Sequence, residues 1–419
     1  MWHTMNKHIF LLAILIWFLM PDAKAQNSTS SPFSRFGIGE IEFRDFGRTI
    51  GMGSVGIGYQ SENFLNRLNP AGLRGIDTLR FILDVSASVK LSEFLTSVSD
   101  GRTLDFTFKS LAIGVRLSKR WTSSVGLSPY SNVGYQMSRK RQIPGTTEIT
   151  ADNYSGNGGI NKLYWANAYE LLKGFSLGVT SSYLFGNCTH TAEEDILTFN
   201  NTYQVNKLNF DFGMQYSYWL GQHTNITVGG IYGYESKMSV EHREIITSYN
   251  HVEQNQRKPD MKSYIPEMYG AGFSILRNKK NAEWIFAADY KYNNWSADHS
   301  HLKKKLTYSD SHTYSVGLQI TPNKNYPENY LQFMRFHLGA CYHQSYLKVN
   351  GYQSDDYSIS LGVGLPFYNQ YRGTISYVNI GVNVGESGTG ERGGITERYV
   401  LFSVNLSLIE RWFAKRKWD

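Results

Sequence analysis

The chain has 419 residues, of which 41% are hydrophobic and 18% charged, with a formal net charge of +7 and only two cysteines. Two cysteines exclude a disulfide framework, and no apolar run reaches the roughly 20 residues that a transmembrane helix needs. The positive charge is scattered and lies on no nucleic-acid-binding module, so nucleic acid is not an expected partner.

Residues 1–25 read as a secretory signal peptide. Lys7 and His8 precede 12 consecutive apolar residues, Ile9 to Met20, then Pro21 breaks the run. Ala23-Lys24-Ala25 offers a small-residue cleavage site before Gln26. No cysteine follows that site, so export without a lipid anchor is expected.

Residues 26–77 are of another kind. Glycines at 37, 39, 47, 51, 53, 56, 58, 72 and 75 alternate with Phe33, Phe36, Phe43, Phe46, Arg35, Arg44, Arg48 and Arg67. The stretch is too glycine-rich for a stable helix and too aromatic for a disordered tail. It is expected to fold into the lumen of whatever follows, as a hatch or plug. Phe33, Arg35, Phe36, Arg44, Phe46, Arg48 and Arg67 are its candidate luminal contacts.

From Thr78 onward the sequence alternates apolar with small or polar residues. Leu111, Ile113, Val115 and Leu117 share one strand face, as do Phe175, Leu177 and Val179, and Tyr314, Val316, Leu318 and Ile320. Tyr357 to Phe367 and Val400 to Leu408 repeat the pattern, with Ser358, Ser360, Gly362, Ser403, Asn405 and Ser407 on the opposite faces. The pattern gives 14 strands, beginning near 78, 103, 119, 159, 174, 204, 223, 262, 282, 307, 331, 353, 372 and 396. A count of 12 follows if the segments near 159 and 353 are not strands. Tight joints such as Ser118–Trp121 and Leu220–His223 alternate with stretches such as Arg139–Gly158, His190–Tyr203 and Met238–Lys262, read as long loops. Short turns at one rim and long loops at the other mark an all-β fold, a transmembrane antiparallel β-barrel over residues 78–410. The 29 tyrosines suit interfacial girdles. After it, the basic and aromatic tail 411–419 carries Trp412, Phe413 and Trp418 as a candidate anchor at the periplasmic leaflet.

The run Gly51-Met-Gly-Ser-Val-Gly-Ile-Gly-Tyr59, followed by Asn69-Pro70-Ala71-Gly72-Leu73 just before the first strand, resembles the long-chain fatty-acid transporter family of outer-membrane barrels. It also resembles that family's relatives in Bacteroidota, including the barrel that carries substrates of a gliding-associated secretion system. The resemblance implies a 14-stranded barrel plugged by an N-terminal hatch that ends at the Asn-Pro-Ala motif. It makes Gly51, Gly53, Gly56, Gly58, Asn69, Pro70, Ala71 and Gly72 candidate hatch or gating residues. No apolar cluster aligns with that family's fatty-acid pockets, so that substrate is not carried over.

Other motifs lead nowhere. Gly51-x-Gly53-x-x-Gly56 lacks the preceding strand and following helix of a dinucleotide site. Asp298-His299-Ser300-His301 offers two alternating histidines without a third ligand, and no G-x-S-x-G occurs. No cofactor, no metal site and no catalytic residues are therefore expected, and Cys188 and Cys341 read as small apolar fillers. The expected function is passive uptake of a small hydrophobic solute through a plugged lumen in a Gram-negative outer membrane. The alternative is a non-transporting accessory or carrier subunit of a protein-secretion or barrel-assembly complex, docking through its long loops. Expected partners are outer-membrane lipids, a hydrophobic small molecule, or an outer-membrane protein complex, with the barrel-assembly machinery acting during biogenesis.

Overall fold

The computed structural model describes residues 29–411 apart from 46, 79, 96–99, 144, 250, 297–305, 326, 350, 370–373 and 390–393. The expected signal peptide, the anchor residues Trp412, Phe413 and Trp418, Phe46, and the Asp298–His301 pair lie outside the described residues.

Fourteen antiparallel strands close into a barrel. They are β1 (Arg80–Leu95), β2 (Asp100–Arg116), β3 (Trp121–Gln142), β4 (Ile149–Leu172), β5 (Phe175–Glu194), β6 (Leu197–Leu220) and β7 (Thr224–Gly233 with Ser236–Ser248). Then come β8 (His251–Ile265 with Glu267–Lys279, split at Pro266), β9 (Ala282–Asn294), β10 (Leu306–Tyr308 with Ser311–Thr321), β11 (Arg335–Val349), β12 (Tyr352–Asn369), β13 (Thr374–Gly388) and β14 (Thr396–Arg411). Each strand pairs with the next, and β14 returns to β1 in continuous register from Arg80↔Arg411 to Leu95↔Thr396. Closure leaves no free sheet edge at that joint, which is what hydrocarbon demands of a spanning sheet.

Alternation decides the faces. On β14, Phe402 and Val404 are exposed while Ser403, Asn405 and Ser407 are buried toward the lumen. On β12, Tyr357, Ile359 and Leu361 are exposed against buried Ser358 and Ser360. The outward tyrosines of β7 to β12 form a belt of cross-strand ring contacts. Tyr232–Tyr269, Tyr290–Tyr314, Tyr314–Tyr342 and Tyr342–Tyr357 have centroids 5.3, 4.9, 6.0 and 4.7 Å apart. Amphipathic rings at one level of the wall are the mark of a bilayer interface.

Three segments expected as long loops are strand. β3 and β4 stay paired to Gln142↔Ile149, β5 and β6 meet at Glu194↔Leu197, and β7 and β8 meet at Ser248↔His251. The strands near 159 and 204 accordingly begin earlier, at Ile149 and Leu197. β4 has 24 residues, roughly 80 Å of extended chain, where a tilted membrane span takes about 10. Beyond the hydrocarbon both faces of a hairpin are wet, so apolar alternation is lost while backbone pairing continues. The basic cluster Arg139–Arg141 lies on this extension, with Arg141 paired to Asp152 at 2.9 Å.

One consequence is directly measurable. Leu361 is 59% exposed in the middle of the apolar row of β12, so Leu361→Arg should cost about 2–4 kcal/mol in lipid-vesicle unfolding titrations. Gln254→Arg, at an exposed position on the extension of β8, should cost far less.

Candidate functional site

The described residues of 29–76 lie inside the barrel, and the backbone of 50–58 and 69–71 follows its wall. The chain from Ile50 to Gly58 passes β13, β12, β11, β10 and β8 in turn, against wall glycines that have no side chain to obstruct it. A Cβ on Gly381 would meet Ile50, one on Gly362 would meet Gly51, and one on Gly339 or Gly317 would strike Met52 or Gly53. Gly272 and Gly229 face Gly58 and Ile57 in the same way, and Gly213 and Gly178 face Asn69, Pro70 and Ala71. The result is an inner hoop in which backbone touches backbone. In the hoop itself, Gly53 takes the left-handed conformation (φ 68°) that favours glycine.

Specific polar contacts fix the hoop. The backbone N–H groups of Gly56, Ile57 and Gly58 donate to the Asp289 carboxylate at 2.5, 2.8 and 3.4 Å. Successive N–H groups converging on one anion form a nest, and it begins at the last glycine of the literal G-x-G-x-x-G run and continues through Ile57 and Gly58. Asn69 is fully buried. Its Oδ1 caps the turn Pro70–Gly75 by accepting from Ala71 N at 3.0 Å, and its Nδ2 donates to Ile57 O and Met214 O at 2.8 and 3.1 Å. Asn is needed there because one amide acts as acceptor for its own turn and donor to the wall.

The arginines of the segment reach different strands. Arg44 Nη2 lies 2.5 Å from Asp356 Oδ1 and also donates to Tyr399 Oη. Burial disfavours the Arg44 charge, but the Asp356 carboxylate outweighs it and raises the pKa above the ordinary arginine value. Arg67 donates to Asp45 at 3.1 Å and to Ser110 at 2.5 Å. Arg48 donates to Ser61 at 2.8 Å and to Gln319 at 2.5 Å. Arg35 sits 4.9 Å over the Tyr154 ring.

The wall has a seam between β2 and β3. These strands share six pairs, Leu111↔Leu127 to Arg116↔Thr122, and then part, although both continue. Each carries a bulge where they separate, Lys109 in β2 and Tyr130 in β3; a bulge bends its strand and ends pairing. Glu42 spans the two. Its carboxylate is 2.6 Å from Lys109 Nζ, and its N–H donates to Tyr130 O at 3.0 Å. Beside it Glu40 and Ile41 pair with Asn132 and Ser131 as an added two-residue strand. Ser30 N and Oγ donate to Asp105 at 3.0 and 2.6 Å. The N-terminal segment thus stitches the seam shut.

Above the hoop lies a cavity of about 430 Å³. Phe33, Phe36, Phe43 and Met137 give it apolar walls, and Lys162, Asp211 and Lys291 give it charge. Phe43 stacks on His343 with centroids 3.8 Å apart.

The structure brings Gly51, Gly53, Gly58, Asn69, Pro70, Ala71 and the arginines to the wall; Gly56 donates its N–H to the wall's Asp289, and its Cα and that of Gly72 pack against Leu68 and Asn66 of the segment. Sequence reasoning missed Glu42, Lys109, Asp289 and the wall glycines. Pro129, inside an otherwise regular strand, was the available signal, because proline in a strand interior marks a bulge or an edge.

A closed 14-stranded barrel with a polar, filled lumen and an apolar belt defines a class of Gram-negative outer-membrane protein. Solved structures of that class share the fold. They include a Pseudomonas aeruginosa homologue of the long-chain fatty-acid transporter (TM-score 0.58, 12% identity, 89% of this chain and 99% of that one). The Pseudomonas putida toluene transporter TodX is as similar (0.58, 12%, 88% and 99%), and the CymD monoaromatic hydrocarbon channel follows (0.52, 15%, 91% and 100%). No curated protein matches. The chain belongs to the BamG family, whose model matches residues 5–419.

Removing the nest acceptor with Asp289→Ala should loosen the hoop without opening the barrel, since each unpaired N–H costs about 1–3 kcal/mol. Trypsin cleavage after Arg67 or Arg74 should accelerate while the heat-modifiable folded band on a gel persists. An uncut segment would refute the role assigned to this carboxylate.

Proposed function

We propose that this protein is an accessory barrel of an outer-membrane barrel-assembly complex, held closed by residues 29–78 acting as a hatch. The observation that carries this reading is the hoop bonded into the wall across β13 to β6, together with the seam stitched by Glu42. A segment gripped at so many points suits a rigid structural subunit better than a frequently opened gate. Membership of the BamG family supports it, the name denoting a component of barrel assembly. In this reading the long paired hairpins β3–β4, β5–β6 and β7–β8 are the docking surface, since they project as stiff ribbons rather than loops.

A second reading is favoured by one feature, the 430 Å³ cavity between the hoop and the hairpins. Its aromatic walls suit a small hydrophobic solute, and the seam beside it would be a sideways exit into lipid once Glu42 lets go. Apolar affinity would drive that passage without an energy source. Likeness to hydrocarbon channels supports this reading at the level of fold.

The two readings separate by measurement. Purified from its own membrane in mild detergent, the protein should appear by native mass spectrometry in a stoichiometric complex with a second barrel of the assembly machinery. In planar bilayers the isolated chain should stay non-conducting. A lone chain carrying a bound lipophile would overturn the accessory reading in favour of transport. Lys109→Met, which cuts the clasp, should raise uptake of a hydrophobic dye into vesicles only if the seam is an exit.

A further inference from the structure

On the periplasmic side of the hoop, a buried cluster gathers positive charge that no ion pair balances among the described residues. Arg335, the first residue of β11, and His337 point into the lumen two positions apart. β12 offers Gly364 and Gly362 opposite them, Gly364 against the Arg335 side chain and Gly362 against Gly51, and Gln319 on β10 lies opposite His337. The N-terminal segment adds Arg48 and Tyr59, with the Arg48 guanidinium 5.5 Å from the Tyr59 ring centre. Arg335 lies 3.6 Å over the ring of Tyr377. Arg48 is 2% exposed and Arg335 5%.

Neither guanidinium has an ion-pair partner among the described residues, and Glu283 on β9, two strands from Arg335, is taken up by Lys324 at 2.7 Å. Four buried donors here make no hydrogen bond to the protein: Arg48 Nε, Arg335 Nη1, Gln319 Nε2 and Tyr59 Oη. Two uncompensated buried charges are strongly unfavourable, and so are unpaired donors. One partner relieves both at once, an anion with several acceptor oxygens; the planar guanidinium fork matches such oxygens geometrically.

We infer that this cluster binds a small tetrahedral oxyanion of the phosphate or sulfate class, bridging Arg48 of the N-terminal segment to Arg335 of the wall. Entry is from the periplasm, where β11 begins. The bound anion acts as one more fastening of the hoop, and this holds whichever function the barrel serves.

Equilibrium dialysis of radiolabelled phosphate against the full chain in detergent, at constant ionic strength, tests it. One equivalent should bind, displaced by sulfate but not by chloride. Arg335→Gln should weaken binding at least about tenfold, or about 1.4 kcal/mol, and Gln319→Glu, which supplies the missing negative charge in place, should abolish it. Arg120→Gln, on an exposed short turn, should change nothing. A parallel arm uses short-chain phosphatidylglycerol, and binding of that lipid without free phosphate would overturn the free-anion assignment. No binding, or equal binding by wild type and both cluster variants, overturns the site altogether. Should Arg335→Gln fail to give a heat-modifiable folded band, Gln319→Glu carries the comparison.

Discussion

The structure rests on one constraint: within hydrocarbon, every backbone N–H and C=O must find its partner inside the protein. Thirteen of the fourteen joints around the barrel meet it with long stretches of pairing. The β2–β3 joint does not, because two bulges bend its strands apart after six pairs. The shortfall falls where Leu104, Phe106 and Phe108 still face outward as exposed apolar residues, so it lies at membrane depth. Residues 30–42 make it good with an added strand, a bridging carboxylate and a serine. Wall and lumen contents are therefore one object, and neither is complete without the other.

The same dependence explains the lumen. A wall of large inward side chains would keep any inserted segment at side-chain distance. Here the wall is pared down to glycine on strand after strand, and the backbone of residues 50–58 settles directly against it. Around that contact the apolar residues Met52, Val55, Tyr59 and Phe64 form a core with Ile285 and Ala287. The polar balance is kept by single side chains that serve several groups each, such as Asp289 with three N–H groups and Asn69 with its own turn, a hoop carbonyl and a wall carbonyl.

Much of this was legible before any coordinates. Period-two alternation located all fourteen strands, because lipid on one side and lumen on the other enforce opposite chemistries at successive residues. It failed in predictable places. Beyond the bilayer that enforcement stops, so the outer parts of β4 and β6 carry no strand signature though their backbones pair to the tip. The Asn69-Pro70-Ala71 turn stood out as a local motif. Asp289, Glu42 and Lys109 did not, since their meaning lies in register across 67 positions for Lys109 and Glu42 and 233 for Asp289 and Gly56. The cluster around Arg335 was invisible for the same reason: its members come from five separated stretches of sequence.

Arg44 carries a consequence for biogenesis. Its two partners, Asp356 and Tyr399, lie 312 and 355 positions downstream, and Tyr399 belongs to the last strand. Ser30, Glu42 and Arg67 find partners on the early strands β2 and β3, but Arg44 gains its partners only when β12 and the closing strand are in place. A chain that ended before Asp356 would leave the Arg44 charge without its carboxylate, so the last strands complete a fastening that the first residues begin.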